Sequence, residues 1–582
     1  MTSERKPRRL KWLSEVQQAY AGSRRGNRET HGLDTDFARQ TYVPTGLEEE
    51  LKAAILKRRY RLAVLCGNAG DGKTALLQRL ALLLGHAETR PQTGPVTLRP
   101  AGGPLIEMNL DGSSAWDDRS SDAALDDFLA PFANGQAPAE DIARLLAIND
   151  GRLLEWAAQR HTPLAATLRA LLEGRPTDAP HIAFIHLNRR ALVGSFALDG
   201  ALDTSFLDAL ADQLYGGNQA SQIWSKCHGC AGQPRCEAFR AARLFGPANL
   251  PGAAAAERRQ LARRRLYAAL QAVHLRGESH IAIRDLRGAL AYILFGTASC
   301  DAYCQEKPYP PYWERAFSAT TPYRQGRLLE ELSLFDPALE ADARLDRALL
   351  KQVRQGFARD LADARRRAYF EWTDAEAAHA GGPGARLDVA RGRHLDWLRR
   401  LPFLSEVEKR ELLRRLCHGL SRVESLPAVA YARAGAVPLR LSPRAPTETV
   451  FWVEARLTDF RLEADLQPTA LLDADNPGRR GLHRQAFLTH RSSQGGESRL
   501  SINADLFHVL LELDWGYRLS AATMDETFAH LTLFIERLIR AQAGEIYAWH
   551  PLRASAVYRL ELHTRDLGWS PHQRLTIAPV GA

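Results

Sequence analysis

Hydrophobic and polar positions change texture three times along the chain. Between residues 41 and 215, short unbroken apolar runs alternate with helical patterns. Residues 62–66, Leu-Ala-Val-Leu-Cys, read as a strand buried on both faces, and Thr74 to Leu84 repeats leucine at helical spacing. Leu105 to Leu110 closes on Asp111, Leu145 to Ile148 closes on Asn149 and Asp150, and His181 to Asn188 gives another such run. Strands alternating with helices predict an α/β core with a parallel sheet. From 216 to 440 the pattern is helical, interrupted by polar Gly- and Pro-containing loops. After 442–449, Ser-Pro-Arg-Ala-Pro-Thr-Glu-Thr, residues 449–466 alternate apolar and polar as half-buried strands do. A helical stretch from Ala504 and two strand-like runs, 556–565 and 574–580, complete an α+β texture.

The expected organisation is therefore a basic N-terminal arm over 1–40, an α/β core over 41–215, a cysteine-bearing insertion with a helical lid over 216–310, a helical domain over 311–440 and an α+β domain over 441–582. A chain of 582 residues exceeds what one core supports, which agrees with several domains.

Within the core, Gly67-Asn68-Ala69-Gly70-Asp71-Gly72-Lys73-Thr74 matches G-x-x-x-x-G-K-[ST] completely, between a strand and the helix that Ala75 continues. In that context the loop amides and the helix N-terminus form an anion site, and glycines let backbone close around phosphate oxygens. Lys73 is then expected to neutralise the β- and γ-phosphates of ATP, and Thr74 to offer its hydroxyl to Mg²⁺.

Taken in order as strands of an AAA+-like sheet, these runs put Leu-Leu-Ala-Ile-Asn-Asp in the Walker B place, with Asp150 as the Mg²⁺-side carboxylate, and Asn188 in the sensor place. Asp111 is the rival carboxylate. An Asp-Glu pair is absent, so the acid that would polarise water is not identified. Ser279 to Leu290 resembles the AAA+ lid element, in which an arginine turns toward the γ-phosphate; Arg284 fits first and Arg287 second. Arg189 and Arg190 would act in trans as arginine fingers in a homo-oligomer, or are surface charge.

The clustered cysteines point to metal. Cys227 and Cys230 have C-x-x-C spacing and Cys236 follows, a set suited to Zn²⁺, with Cys300 or Cys304 as fourth ligand; an iron–sulfur cluster is the smaller alternative. Reduced unliganded thiols are the other reading.

Charge adds little. A net +9 spread over the chain permits a nucleic-acid partner without requiring one. The clusters Arg365–Arg367, Arg399–Arg400 and Arg414–Arg415 lie near aromatics as a DNA-binding face would, yet acidic neighbours favour salt-bridged helix surfaces. No apolar stretch approaches a membrane span and no apolar run follows the basic start, so a cytoplasmic protein is expected.

The segments Thr41 to Leu51, Leu65 to Leu80, Leu145 to Ala157, the Cys227/Cys230/Cys236 cluster, Ile283 to Gly296, Ala364 to Trp372 and Leu506 to Tyr517 together resemble bacterial antiphage-defence P-loop ATPases, notably the ATPase subunit of DNA phosphorothioation-dependent restriction. That resemblance implies an ATPase in a multi-protein complex that recognises DNA and licenses an effector nuclease on another chain. A nucleotide-held signalling switch with little turnover, acting on protein partners or transcription, is the alternative.

Overall fold

The computed structural model describes residues 9–24, 32–86, 95–116, 118–197, 199–305, 307–441, 448–466, 480–493, 495–518, 528–542, 545–566 and 571–580. They divide into two compact units. The first comprises residues 1–274, 278–390 and 467–482, and the second 275–277, 391–466 and 483–582. The break at residue 390 falls inside the stretch that reads as one helical domain.

The first unit is built on a five-stranded, mostly parallel sheet. Strands β1 (Leu62–Gly67), β2 (Val96–Leu98), β3 (Leu105–Asn109), β4 (Ile142–Asn149) and β5 (Ile182–His186) lie in the order β2-β3-β4-β1-β5. Only β2 runs antiparallel to its neighbour. Successive side chains of a strand point to opposite faces. Ala63 and Leu65 of β1 accordingly join one core, with Leu77, Leu80, Met108 and Leu145, while Leu62, Val64 and Cys66 join another, with Phe132, Leu146, Ile148 and Trp156. This double burial is why the strand is an unbroken apolar run. Each fully buried Leu or Val contributes about 1.5–3 kcal/mol.

Helices α1 (Lys11–Gln18), α2 (Asp36–Gln40), α3 (Leu47–Leu56), α4 (Lys73–Leu83), α5 (Ser121–Leu129), α6 (Asp150–Ala158) and α7 (Pro163–Leu172) belong to this unit. So do α8 (Ser205–Leu214), α9 (Ala220–Ser225), α10 (Glu237–Phe245), most of α11 (Ala256–Arg276) and α12 (Ile283–Phe295). Within the segment read as a basic arm, α1 is a docked helix and α2 follows it. Trp12, Leu13 and Val16 of α1 are buried, Trp12 Nε1 donates to Leu214 O at 2.8 Å, and Gln17 Nε2 donates to Ala298 O at 2.9 Å. Its basic composition conceals an apolar face at helical spacing.

Helices α13 (Tyr312–Phe317), α14 (Arg327–Ser333), α15 (Ala343–Arg354), α16 (Leu361–Glu371) and α17 (Asp374–Gly381) complete the unit. The arginines of α16 are paired: Arg365 with Asp346, Arg366 with Asp336 at 2.5 Å and Arg367 with Glu371 at 2.8 Å.

The second unit is α+β. It contains α18 (Leu395–Arg400), α19 (Glu406–Ser421), α20 (Ala504–Asp514) and α21 (Ala529–Ala541). An antiparallel sheet places Ala436–Arg440 beside Val450–Arg456, followed by Glu545–Trp549, Val557–Asp566 and Pro571–Val580, and a three-stranded sheet joins Phe460–Ala464, Ala486–Arg491 and Glu497–Ile502. Helices α19 and α20 meet at Gly419, where a Cβ would stand 1.9 Å from the Leu510 carbonyl oxygen. Arg414 pairs with the exposed Glu411 at 2.7 Å, and Arg415 with Asp514 at 3.0 Å, where both side chains are mostly buried, as are Arg365 and Arg366. His490, 1% exposed, packs against Phe460. Among the described residues no helix is long and apolar enough to cross a membrane.

Candidate anion-binding site

The loop between β1 and α4 owes its shape to residues that fix it from several directions. Gly70 and Gly72 have φ of +96° and +86°, a left-handed conformation that strains any residue with a Cβ. Space adds a second requirement, because a Cβ on Gly70 would come 2.9 Å from Arg284 Cβ, and one on Gly72 would come 3.2 Å from Ile283 Cδ1. The first turn of α12 thus sits directly on the loop, and Arg284 N donates to Gly70 O at 3.1 Å.

Side chains complete the clamp. Asp71, 2% exposed, accepts from Asn68 N at 2.7 Å through one oxygen and meets His280 Nε2 at 2.6 Å through the other. Asn188 Oδ1 also accepts from Asn68 N, at 2.9 Å. Lys73 Nζ is surrounded by acceptors: Gly67 O at 3.0 Å, Asn68 O at 2.8 Å and Asn149 Oδ1 at 2.8 Å. Burial lowers the Lys73 pKa, against which the nearby acids Asp71, Asp150 and Asp111 act. Thr74 Oγ1 donates to Leu110 O at 3.0 Å.

Over this loop lies a cavity of about 490 Å³, within the range typical of small-molecule sites. Residues 69–76 of the loop and α4 line it, with Asp111, Asn149, Arg190, Arg284 and Arg287. Its apolar lining includes Val43, Phe206, Leu210 and Ile283, and Thr41 and Tyr42 contribute from the segment leading into α3. Tyr42 donates its hydroxyl to the buried Glu48 of α3, which also accepts from Thr45 N at 3.2 Å, so this wall is tied down by α3.

The strand ends distribute the expected polar residues unevenly. Because β4 is the immediate neighbour of β1, its last residue, Asn149, reaches Lys73, and the next residue, Asp150, turns to the far side. The Asp150 carboxylate accepts from Cys66 Sγ at 2.9 Å and Asn188 Nδ2 at 2.5 Å and meets His186 Nε2 at 2.8 Å. Burial opposes its charge, but the hydrogen bonds from His186 and Cys66 outweigh burial and hold its pKa below the usual carboxylate range. Neither Asp150 nor Asn188 lines the cavity. Both act one layer behind the loop, with Asn188 bridging Asp150 to Asn68. Asp111, carried beyond β3, does line the cavity; its oxygens accept from Ser113 N at 2.9 Å and Ser114 Oγ at 3.0 Å.

Of the paired arginines, Arg189 is exposed and donates to Leu172 O at 3.3 Å, whereas Arg190 is 5% exposed and faces the cavity of its own chain. Its burial rules out the surface-charge reading for Arg190. Its Nε and Nη1 have no hydrogen-bond partner among the described residues, and burial lowers its pKa. Burial and then the neighbouring Arg284 lower the pKa of Arg287. Lys73, Arg190, Arg284 and Arg287 therefore give the cavity a cationic lining that favours an anion. A buried guanidinium with unmet donors is expensive and gains most from an anionic ligand. Arg190→Ala is expected to weaken binding of a nucleoside triphosphate by roughly 10- to 100-fold, about 1.5–3 kcal/mol for a charged hydrogen bond, as titration calorimetry would measure; an unchanged Kd would remove Arg190 from the site.

The roles of Asn149, Arg190 and His280 were not legible from the chain. Only a polar residue at the end of an apolar run marks Asn149, and His280 carries no motif. Comparison with models of known protein families, with curated proteins and with solved structures finds no match.

Proposed function

We propose that the chain is a P-loop ATPase of AAA+-like type, binding ATP and Mg²⁺ in this cavity. The observation that carries the reading is the convergence of the glycine loop, Lys73, Thr74, Asp111, Asn149 and Arg284 on one cavity from segments far apart in the chain. In this arrangement the loop amides and Lys73 hold the phosphates, and the apolar lining beside Tyr42 takes the base. In this reading Thr74 and Asp111, which both line the cavity, would hold Mg²⁺, which would neutralise charge developing on the phosphates. Asn149, in contact with Lys73, takes the γ-phosphate-sensing position that the linear reading gave to Asn188. Arg284, whose backbone rests on Gly70, couples closure of α12 to the nucleotide state.

The wider role we propose is that of the ATP-driven subunit of a bacterial defence complex, coupling nucleotide state to DNA recognition or to activation of a partner nuclease. That part rests on the resemblance of the chain to such subunits. A second reading, a switch that holds ATP with little turnover, is favoured by one observation: Gly112, with no carboxylate to polarise water, follows Asp111.

ATPase rates of the wild type and of Lys73→Ala, with and without duplex DNA, separate the readings. Turnover stimulated by DNA and lost in the variant supports the first. Tight ATP binding without turnover supports the switch, and absence of ATP binding by the wild type refutes both.

A further inference from the structure

In the second unit, α20 carries His508 and Glu512 four residues apart, which places both on one face of the helix. His394, which ends the short helical turn over 392–394 ahead of α18, meets that face. His394 Nε2 lies 3.0 Å from Glu512 Oε1, and the centroids of the His394 and His508 rings are 5.8 Å apart. One donor atom from each of the three side chains lies within 4.8 Å of the other two.

The scaffold holds these groups in place. Leu506, Phe507, Leu510 and Leu511 of α20 are buried, and the close approach of α19 at Gly419 fixes the helix. Asp505, in the first turn of α20, pairs with Arg391 at 2.6 Å and with Arg276 at 2.8 Å, so the chain entering the 392–394 turn is tied to the same helix. His394 is 3% exposed, and its ring meets Trp515 edge-on, with centroids 5.2 Å apart. Donors positioned in advance lose little freedom when an ion binds. The Glu512 side chain is part-exposed, which leaves an approach from solvent.

Zn²⁺ takes imidazole nitrogen at about 2.0–2.1 Å and carboxylate oxygen at about 2.0–2.2 Å, so neighbouring donors of one tetrahedral ion stand about 3.4 Å apart. The 3.0 Å separation and the 4.8 Å limit bracket that value, and small side-chain rotations close the set on one ion. Two imidazoles and a carboxylate suit Zn²⁺ and its first-row neighbours, whereas Mg²⁺ and Ca²⁺ take oxygen ligands. The neighbouring cations are met elsewhere: Arg415 pairs with Asp514 at 3.0 Å, and Arg393, 4.0 Å from Glu512, is exposed and can turn to water.

We propose that His394, His508 and Glu512 form a Zn²⁺ site, with water in the remaining position, that joins the 392–394 turn to α20. Three protein donors with an open position make an accessible site rather than a closed structural one. None of the three residues lines the nucleotide cavity, so metal uptake here is tested separately from ATP binding.

Thiols are the competing ligands. The loop of Cys227, Cys230 and Cys236 and the loop of Cys300 and Cys304 meet in the first unit, where a Cβ on Gly232 would stand 3.2 Å from Cys304 Sγ. The probe is therefore Co²⁺, because thiolate ligands give it intense charge-transfer absorption and nitrogen and oxygen ligands give only weak visible bands. Full-length protein stripped by chelator and titrated with Co²⁺ is expected to show those weak bands, and Zn²⁺ to displace them. They should disappear in His508→Ala and in Glu512→Gln, with affinity reduced by more than the about 100-fold that loss of an outer-shell partner costs, and persist in Cys227→Ser. If the two ligand variants do not fold, X-ray absorption at the zinc edge of Zn²⁺-saturated Cys227→Ser protein decides: nitrogen and oxygen neighbours at about 2.0–2.1 Å support the site, and sulfur neighbours alone, at about 2.3 Å, overturn it. Weak bands unchanged in both ligand variants, thiolate bands alone, or no Co²⁺ uptake by the wild type also overturn it.

Discussion

Lys73→Ala is expected to weaken binding of a non-hydrolysable ATP analogue by roughly 30- to 700-fold, the equivalent of about 2–4 kcal/mol for loss of a charged partner from a partly buried site. The reason lies in how Lys73 is held. Its ammonium sits among Gly67 O, Asn68 O and Asn149 Oδ1, so the charge is fixed at the mouth of the loop before any ligand arrives. Burial lowers its pKa, which makes an anion a better partner for it than water. Lys73 opens α4, where alanine is a good helix former, so the variant should keep its thermal unfolding temperature. Lys73→Arg should lose nearly as much affinity, because a planar fork does not match acceptors arranged around a single ammonium. Affinity unchanged in Lys73→Ala, by calorimetry on folded protein, would falsify the assignment of the loop.

Asp111→Asn and Asp150→Asn are expected to fail in different ways. Asp111 lines the cavity beside Thr74, and removing its charge takes away the carboxylate proposed for Mg²⁺. Any Mg²⁺-dependent turnover should drop by about 100-fold or more, with metal-free nucleotide binding and the unfolding temperature preserved. Asp150 is engaged by Cys66, His186 and Asn188 behind the loop, so its asparagine variant should lose stability more than chemistry. Its folded-state pKa is depressed, so the stabilisation is present above the ordinary carboxylate pKa and is lost as pH falls through the lowered value. Unfolding temperatures of wild type and Asp150→Asn should differ at neutral pH and converge below pH about 4. Turnover abolished by Asp150→Asn and untouched by Asp111→Asn would reverse the two roles.

In chain order both carboxylates stand at strand ends, and the order alone does not say which strand lies beside the loop. Taking the runs in chain order put Asp150 at the metal and Asn188 at the γ-phosphate. In the sheet, β4 rather than β3 is the neighbour of β1, and that single fact moves Asn149 onto Lys73 and leaves Asp111 facing the cavity. The arginines followed the same rule. Arg189 and Arg190 are adjacent and indistinguishable in the chain, yet one is exposed and the other almost fully buried.

By itself the sequence determined what depends on neighbours in the chain: the apolar runs that become β1, β4 and β5, the glycines whose left-handed backbone shapes the loop, and the helix that Lys73 begins. These are local because a strand's period, a glycine's φ and a helix N-terminus are set within a few residues. The tertiary structure alone decided strand order, the burial of Arg190, the docking of α1 beneath its basic surface and the meeting of the two cysteine loops. Each depends on which distant segments become neighbours, and a residue's position in the chain carries no record of the side chains that will surround it.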